Sequence, residues 1–239
     1  MTLDWRTFQL ISRLVANPAQ LLLERFNEWN GATNVAAEMR RHISEDPEWV
    51  NQRIAVRHLD AIDQLLDELA ASGRNVAVFR RQFPEWCRVV FAYPRGWQGQ
   101  STAPIDRTAR DHLENLADRL EDFVPTVQLG GLDALRDYAK LVSETLVADT
   151  SLPAPLCAHA NEVVSHLLWC IDNYEIVGDF DLGEAVERLA ATVVRVASAS
   201  DQENLPKWHV VINGFVWPFA INVLAAIPSA GLTQLALPQ

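Results

Sequence analysis

Residues 46–72, DPEWVNQRIAVRHLDAIDQLLDELAAS, decide the fold class. Asp46 before Pro47 reads as a helix cap followed by the first helical position, and Gly73 stands where a helix C-terminus belongs. Between them Ala55, Leu59, Ile62, Leu66 and Leu69 recur at steps of four and three. That period is a helix with one apolar face, not a strand, whose side chains would alternate.

The same punctuation recurs outward from this segment. Asn17-Pro18 starts a helix that closes before Gly31, with Leu22, Phe26 and Trp29 on its apolar side. A shorter helix is expected over Asp4–Val15. Asn75–Tyr93 reads as two short helices divided at Pro84, because no hairpin turn accompanies its apolar runs. Asp106 caps a helix carrying Ala109, Leu113, Leu116, Leu120 and Phe123. After Gly130-Gly131 come Leu132, Leu135, Ala139, Val142 and Leu146. From Pro155 come Leu156, Ala160, Val163, Leu167 and Ile171. Asp181 with Glu184 resembles a capping box ahead of Leu182, Val186, Leu189, Val193 and Val196. The expectation is an all-α bundle of about eight to ten helices. No fixed repeat period is present, which argues against a solenoid.

The stretch 94–104 holds two prolines, two glycines and little apolar content. It is a loop. It divides the chain into an N-terminal helical subdomain 1–94 and a C-terminal bundle 105–239, or crosses the surface of one domain 1–239. Trp97 within it is a candidate anchor for a partner.

From Trp208 to Gln239 the chain has no charged side chain, in a sequence that is 21% charged. Val210–Ile227 reads as a largely buried, uncharged C-terminal helix kinked at Pro218. The competing readings are a face for a homo-oligomer or partner, and insertion into a membrane, for which ~20 apolar residues are needed.

The bulk numbers bound the function. With 239 residues, 49% of them hydrophobic, the chain can bury a substantial core. Three cysteines without a CxxC spacing are neither a disulfide framework nor a zinc module, and Met1–Arg6 lacks signal-peptide character. A reduced, cytoplasmic setting is expected. The net charge of −11 argues against nucleic acid and anionic membranes, and favours a basic protein partner.

Motifs with chemistry are sparse. There is no GxGxxG, Walker A, HExxH or GxSxG, so no cofactor is expected. Cys157, His159, Glu162, His166 and Cys170 share one shoulder of a helix. Glu162 and His166, four apart, offer two ligands to a metal that takes its others elsewhere. Arg53 and His58, and Arg107 and His112, each form an Arg-x4-His string. That spacing resembles the catalytic motif of HEPN-type ribonucleases, small helical proteins whose arginine and histidine serve phosphodiester cleavage, usually across a dimer. The resemblance covers six residues and implies an RNA-cleaving site at Arg107 and His112. Five residues of helix turn by about 500°, so an arginine and histidine so spaced stand about 140° apart.

The leading expectation is a non-catalytic protein that acts by protein–protein interaction, regulatory or immunity- or antitoxin-like. The alternatives are an effector that inserts in a membrane or oligomerises through residues 208–239, and a HEPN-like ribonuclease.

Overall fold

In the computed structural model, which describes residues 17–30, 35–36, 48–91, 100–101 and 105–219, the first helix starts as its sequence predicts. The Asn17 Oδ1 accepts from the amides of Ala19 and Gln20, at 3.1 and 3.0 Å. Two otherwise orphaned donors are thereby satisfied. The other end of the same side chain donates to the Ala117 carbonyl at 3.0 Å. One buried asparagine thus caps α1 (Pro18–Asn30) and ties it to a helix a hundred residues away.

Among the described residues there are eight helices: α1, α2 (Val50–Ala71), α3 (Ala77–Phe91), α4 (Arg107–Glu121), α5 (Gly131–Ala148), α6 (Ala154–Asp172), α7 (Tyr174–Ala199) and α8 (Leu205–Asn213). The chain is all-α, as the periodicity requires. A single two-residue pairing, β1 (Val35–Ala36) with β2 (Gln100–Ser101), is antiparallel. The expected helix over 4–15 lies outside the described residues, as do Trp97 and residues 220–239.

Every residue of the decisive stripe on α2 is buried: Ala55, Leu59, Ile62, Leu66 and Leu69. The helix begins at Val50, three residues after the expected start. Trp49 is left-handed (φ 56°, ψ 34°), so the helix cannot run back through it. Its far end is closed as predicted, with Arg74 N donating to Leu69 O across Gly73.

Residues 77–91 form one helix, not two. Pro84 sits inside it. A proline removes one intrahelical donor. Burial of Phe79, Trp86 and Val90 on one side, with the Trp86 indole donating to Ala109 O at 2.8 Å, outweighs that loss.

Two apolar cores organise the bundle. The first gathers α1, α2, α3 and α4, with Phe26, Trp86, Leu113 and Leu116 at its centre. The second gathers α5, α6, α7 and α8, around Ala139, Leu167, Leu182, Val186 and Trp208. In the apolar packing, Ile105 and all of the α4 stripe belong with α1 and α2. The sequence grouped α4 with the C-terminal helices because the Pro- and Gly-rich loop precedes it. Loop composition reports surface exposure; it does not report which core the next helix joins.

α7 crosses the seam. It breaks at Gly178 (φ 80°, ψ −176°), a region essentially restricted to glycine. The break resets the helix so that Asp181 lies in the first turn of the segment beyond it. The capping role expected of Asp181 is thus displaced. Asp179 instead receives Val127 N at 2.8 Å and the Tyr174 hydroxyl at 2.7 Å.

In its described part, up to Phe219, the C-terminal run is helical as far as Asn213. Gly214 N bonds back to Val210 O at 2.9 Å and the chain then extends, so that Gln128 N donates to Pro218 O and Phe219 pairs with Val127. The approach is close. A Cβ on Gly131 would meet Val127 Cγ1 at 2.9 Å and Pro218 O at 3.1 Å. Trp208, Val211 and Phe219 are fully buried while Val210 and Val216 are exposed. The apolar run is therefore one-sided in its described part, where a continuous Val210–Ile227 helix was expected. Among the described residues no helix is long and apolar enough to cross a membrane.

Candidate functional site: a charged cavity at the seam of two cores

Where α2 meets α6 and α7, two helical rows of polar residues face each other. Arg57, Asp60 and Gln64 succeed one another on α2 at steps of three and four, and Asp181, Glu184 and Arg188 do the same on α7. Such spacing puts each trio on one face. Between them stand Ala61 and Ala185, too small to fill the gap between the helices. The result is a cavity of about 340 Å³, lined also by His166 and Phe180. That is at the lower end of the ~300–1,000 Å³ typical of small-ligand sites.

Its lining is charged and unpaired. Among the described residues, Arg57, Arg188, Asp60, Asp181 and Glu184 form no ion pair or hydrogen bond with one another or with anything else. The Arg57 guanidinium lies over the Trp169 ring, 5.7 Å from its centroid, which holds one of its faces. Asp181 Oδ2 and His166 Nδ1 are buried without a hydrogen-bond partner. Buried polar atoms in folded proteins are nearly always satisfied, so two orphans on one cavity wall need a reason.

The electrostatics arise from this arrangement. Burial pushes the Asp181 carboxyl up to about 6; Arg57 opposes the shift, and Glu184 and Asp60 add to it. Burial also raises Glu184, with Glu187 and Glu68 reinforcing it. Burial lowers His166, and Arg57 and Arg188 act in the same sense. The shared cause is that charge has been drawn from water without being neutralised.

Beside the cavity, His58 clamps the two cores. It is 3% exposed, and its Nε2–H donates to the Ile176 carbonyl at 3.1 Å, just before the α7 break. Its Nδ1 has no partner. Burial lowers its pKa to about 4, with Arg25 and Arg57 contributing. The ring is neutral in the fold.

The residues singled out from the sequence fall elsewhere. Arg107 is exposed at the start of α4, 3.6 Å from Asp111, and His112 Nδ1 engages Thr108 O at 2.8 Å on the same helix. They do not converge, and His58 of the other string is a buried clamp well away from solvent. His166 does line the cavity, with its Nε2 3.8 Å from Cys170 Sγ, but Glu162 is solvent-exposed and does not line it. Among the described residues no group of three or more His, Cys, Asp or Glu is placed to hold a metal. Arg57, Asp60 and Arg188 carried no motif, and Asp181 and Glu184 only that of a helix cap. Their polar rows were visible at helical spacing, but nothing local says that the two rows meet.

Fold and site together define an all-α protein of two fused helical cores with a charged cavity at their junction. No family model matches the chain, and no curated protein or solved structure gives a significant match to it.

Proposed function

We propose that this chain is a cytoplasmic, non-catalytic interaction protein that binds a basic protein partner through its acidic helical surface, in the manner of a regulatory, immunity or antitoxin-like protein. The observation that supports this is a row of carboxylates on the solvent side of α4. Asp111, Glu114, Asp118 and Glu121 succeed one another at steps of three, four and three, and all are exposed. They lie within about 80° around the helix. Among the described residues only Asp111 meets a cation, Arg107. Like charges so spaced repel one another and cost α4 a few tenths of a kcal/mol per pair. A basic partner relieves that repulsion, and its field speeds encounter.

The test is affinity capture followed by titration. The immobilised wild-type chain should retain a basic protein from an extract of its own cells. Combining Glu114→Lys, Asp118→Lys and Glu121→Lys should weaken that partner by about 10-fold or more, chiefly in the association rate. Raising salt from about 0.05 to 0.5 M should weaken wild type in the same way. Equal affinity of the triple variant for the same partner would overturn the reading.

A further inference from the structure

We propose that the cavity between α2, α6 and α7 is a binding site for a small zwitterion bearing both an amine and a carboxylate, the chemical class of free α-amino acids. This goes beyond partner binding through α4 and does not depend on it.

The inference rests on two opposite unmet demands in one space. The half-buried Arg57 offers guanidinium donors with no acceptor among the described residues, and the half-buried Asp181 offers a carboxylate with no donor. Asp60, Glu184 and Arg188 stand at the same cavity but are solvent-exposed. Away from full solvent, opposite charges attract strongly and ordinarily close into an ion pair. Arg57 and Asp181 form none. Asp181 Oδ2 and His166 Nδ1 are already sealed from water, so bulk solvent does not satisfy them.

Single-charge ligands fit poorly. A lone amine would answer Asp181 and leave Arg57 unanswered and repelling it. A lone carboxylate would answer Arg57 and face three carboxylates. A metal ion lacks a set of three donors placed to hold it among the described residues. A molecule with both groups on one carbon meets both demands at once: its carboxylate accepts from the Arg57 edge, which the Trp169 ring leaves open, and its amine donates to Asp181 Oδ2. Ala61, Phe180 and Ala185 complete the wall and leave room for a short apolar side chain. A site that binds through fixed polar groups rejects analogues lacking one of them, because the buried partner is then left unpaired.

The experiment is calorimetric titration of the full-length chain with L-alanine, L-leucine and L-glutamine, and with propylamine and propionate as half-ligands. At least one amino acid should bind with one site per chain, and each half-ligand about 100-fold more weakly or not at all. Arg57→Gln and Asp181→Asn should each lower the affinity by about 50-fold or more. Arg195→Gln, at an exposed position of α7 outside the cavity, serves as the control variant and should bind as wild type does. The Glu114→Lys, Asp118→Lys, Glu121→Lys protein should bind the amino acid as wild type does, which separates this site from the α4 surface. Absence of heat for every amino acid up to about 10 mM would overturn the proposal. So would propylamine binding as tightly as the amino acids, which would make the site a cation pocket, or binding unchanged in both Arg57→Gln and Asp181→Asn.

Discussion

Trp208→Ala should cost about 5 kcal/mol of folding stability. Two contributions add. Trp208 is fully buried in the second core, and truncating such a residue typically costs about 3–5 kcal/mol. Its indole also donates to Asp149 Oδ2 at 2.8 Å. Asp149 is 3% exposed and gathers three further donors: the Ser151 amide at 3.0 Å, the Ser151 hydroxyl at 2.6 Å and the Ser200 hydroxyl at 2.6 Å. Burial opposes ionisation of that carboxyl. The hydrogen bonds from Ser151, Ser200 and Trp208 prevail and hold it at about 2. The network joins the ends of α5, α7 and α8. Trp208→Phe keeps most of the apolar volume and loses only the donor, so it should cost about 2 kcal/mol. Urea unfolding monitored by circular dichroism reads both. A loss under about 1 kcal/mol for Trp208→Ala would mean that α8 is an appendage and not part of the core.

His58 should make the protein acid-sensitive in a defined window. Its folded pKa is about 4 against an ordinary 6.5. The unfolded chain therefore binds the proton first, and stability from this group is complete above 6.5 and is lost as pH falls toward 4. Over that window the loss is about 3 kcal/mol. The structural reason is plain: protonation would place a second N–H where Nδ1 has no acceptor, beside Arg25 and Arg57. Asp181 and Glu184, both raised, work in the opposite sense over part of the range, and His166 works in the same sense. A difference measurement isolates His58. His58→Gln can still donate to Ile176 O but does not titrate. Measured by urea unfolding at pH 7.5 and 4.5, its stability relative to wild type should rise by about 2–3 kcal/mol on going to the lower pH. An unchanged difference would show that the ring is protonated in the fold and the clamp is not as described.

The fold was legible where periodicity and caps act locally. Asn17-Pro18, Asp106 and Gly73 mark real helix ends, and the five stripe residues of α2 are all core. What the sequence obscured was set at a distance. The start of α2 is decided by one left-handed tryptophan, and Pro84 sits within α3 because packing outweighs one lost hydrogen bond. α4 joins the first core through Asn17 and Trp86, contacts that no local pattern announces. The cavity was illegible for the same reason. Asp181 reads as a cap because Asp with Glu three residues later is a common cap pattern, but the break at Gly178, three positions earlier, moves the helix start ahead of it. Of the candidate metal and catalytic residues drawn from motifs, His166 stands at the cavity.

The most direct test of the idea that stability is given up at this cavity for binding is the unfolding free energy of Asp181→Asn against wild type between pH 4 and 8. Asp181 has a folded pKa of about 6 against 3.8 for the free side chain. The folded chain holds its proton longer, so the ionised carboxylate works against folding above pH 6 and that penalty vanishes below about pH 4. Asparagine has nearly the same shape and no charge. At pH 8 Asp181→Asn should therefore be more stable than wild type by about 1–3 kcal/mol, with the difference disappearing as pH falls through 6 toward 4. A variant less stable than wild type at pH 8 would contradict this, because it would mean that the Asp181 carboxylate is already satisfied by the fold and is not held open for a ligand.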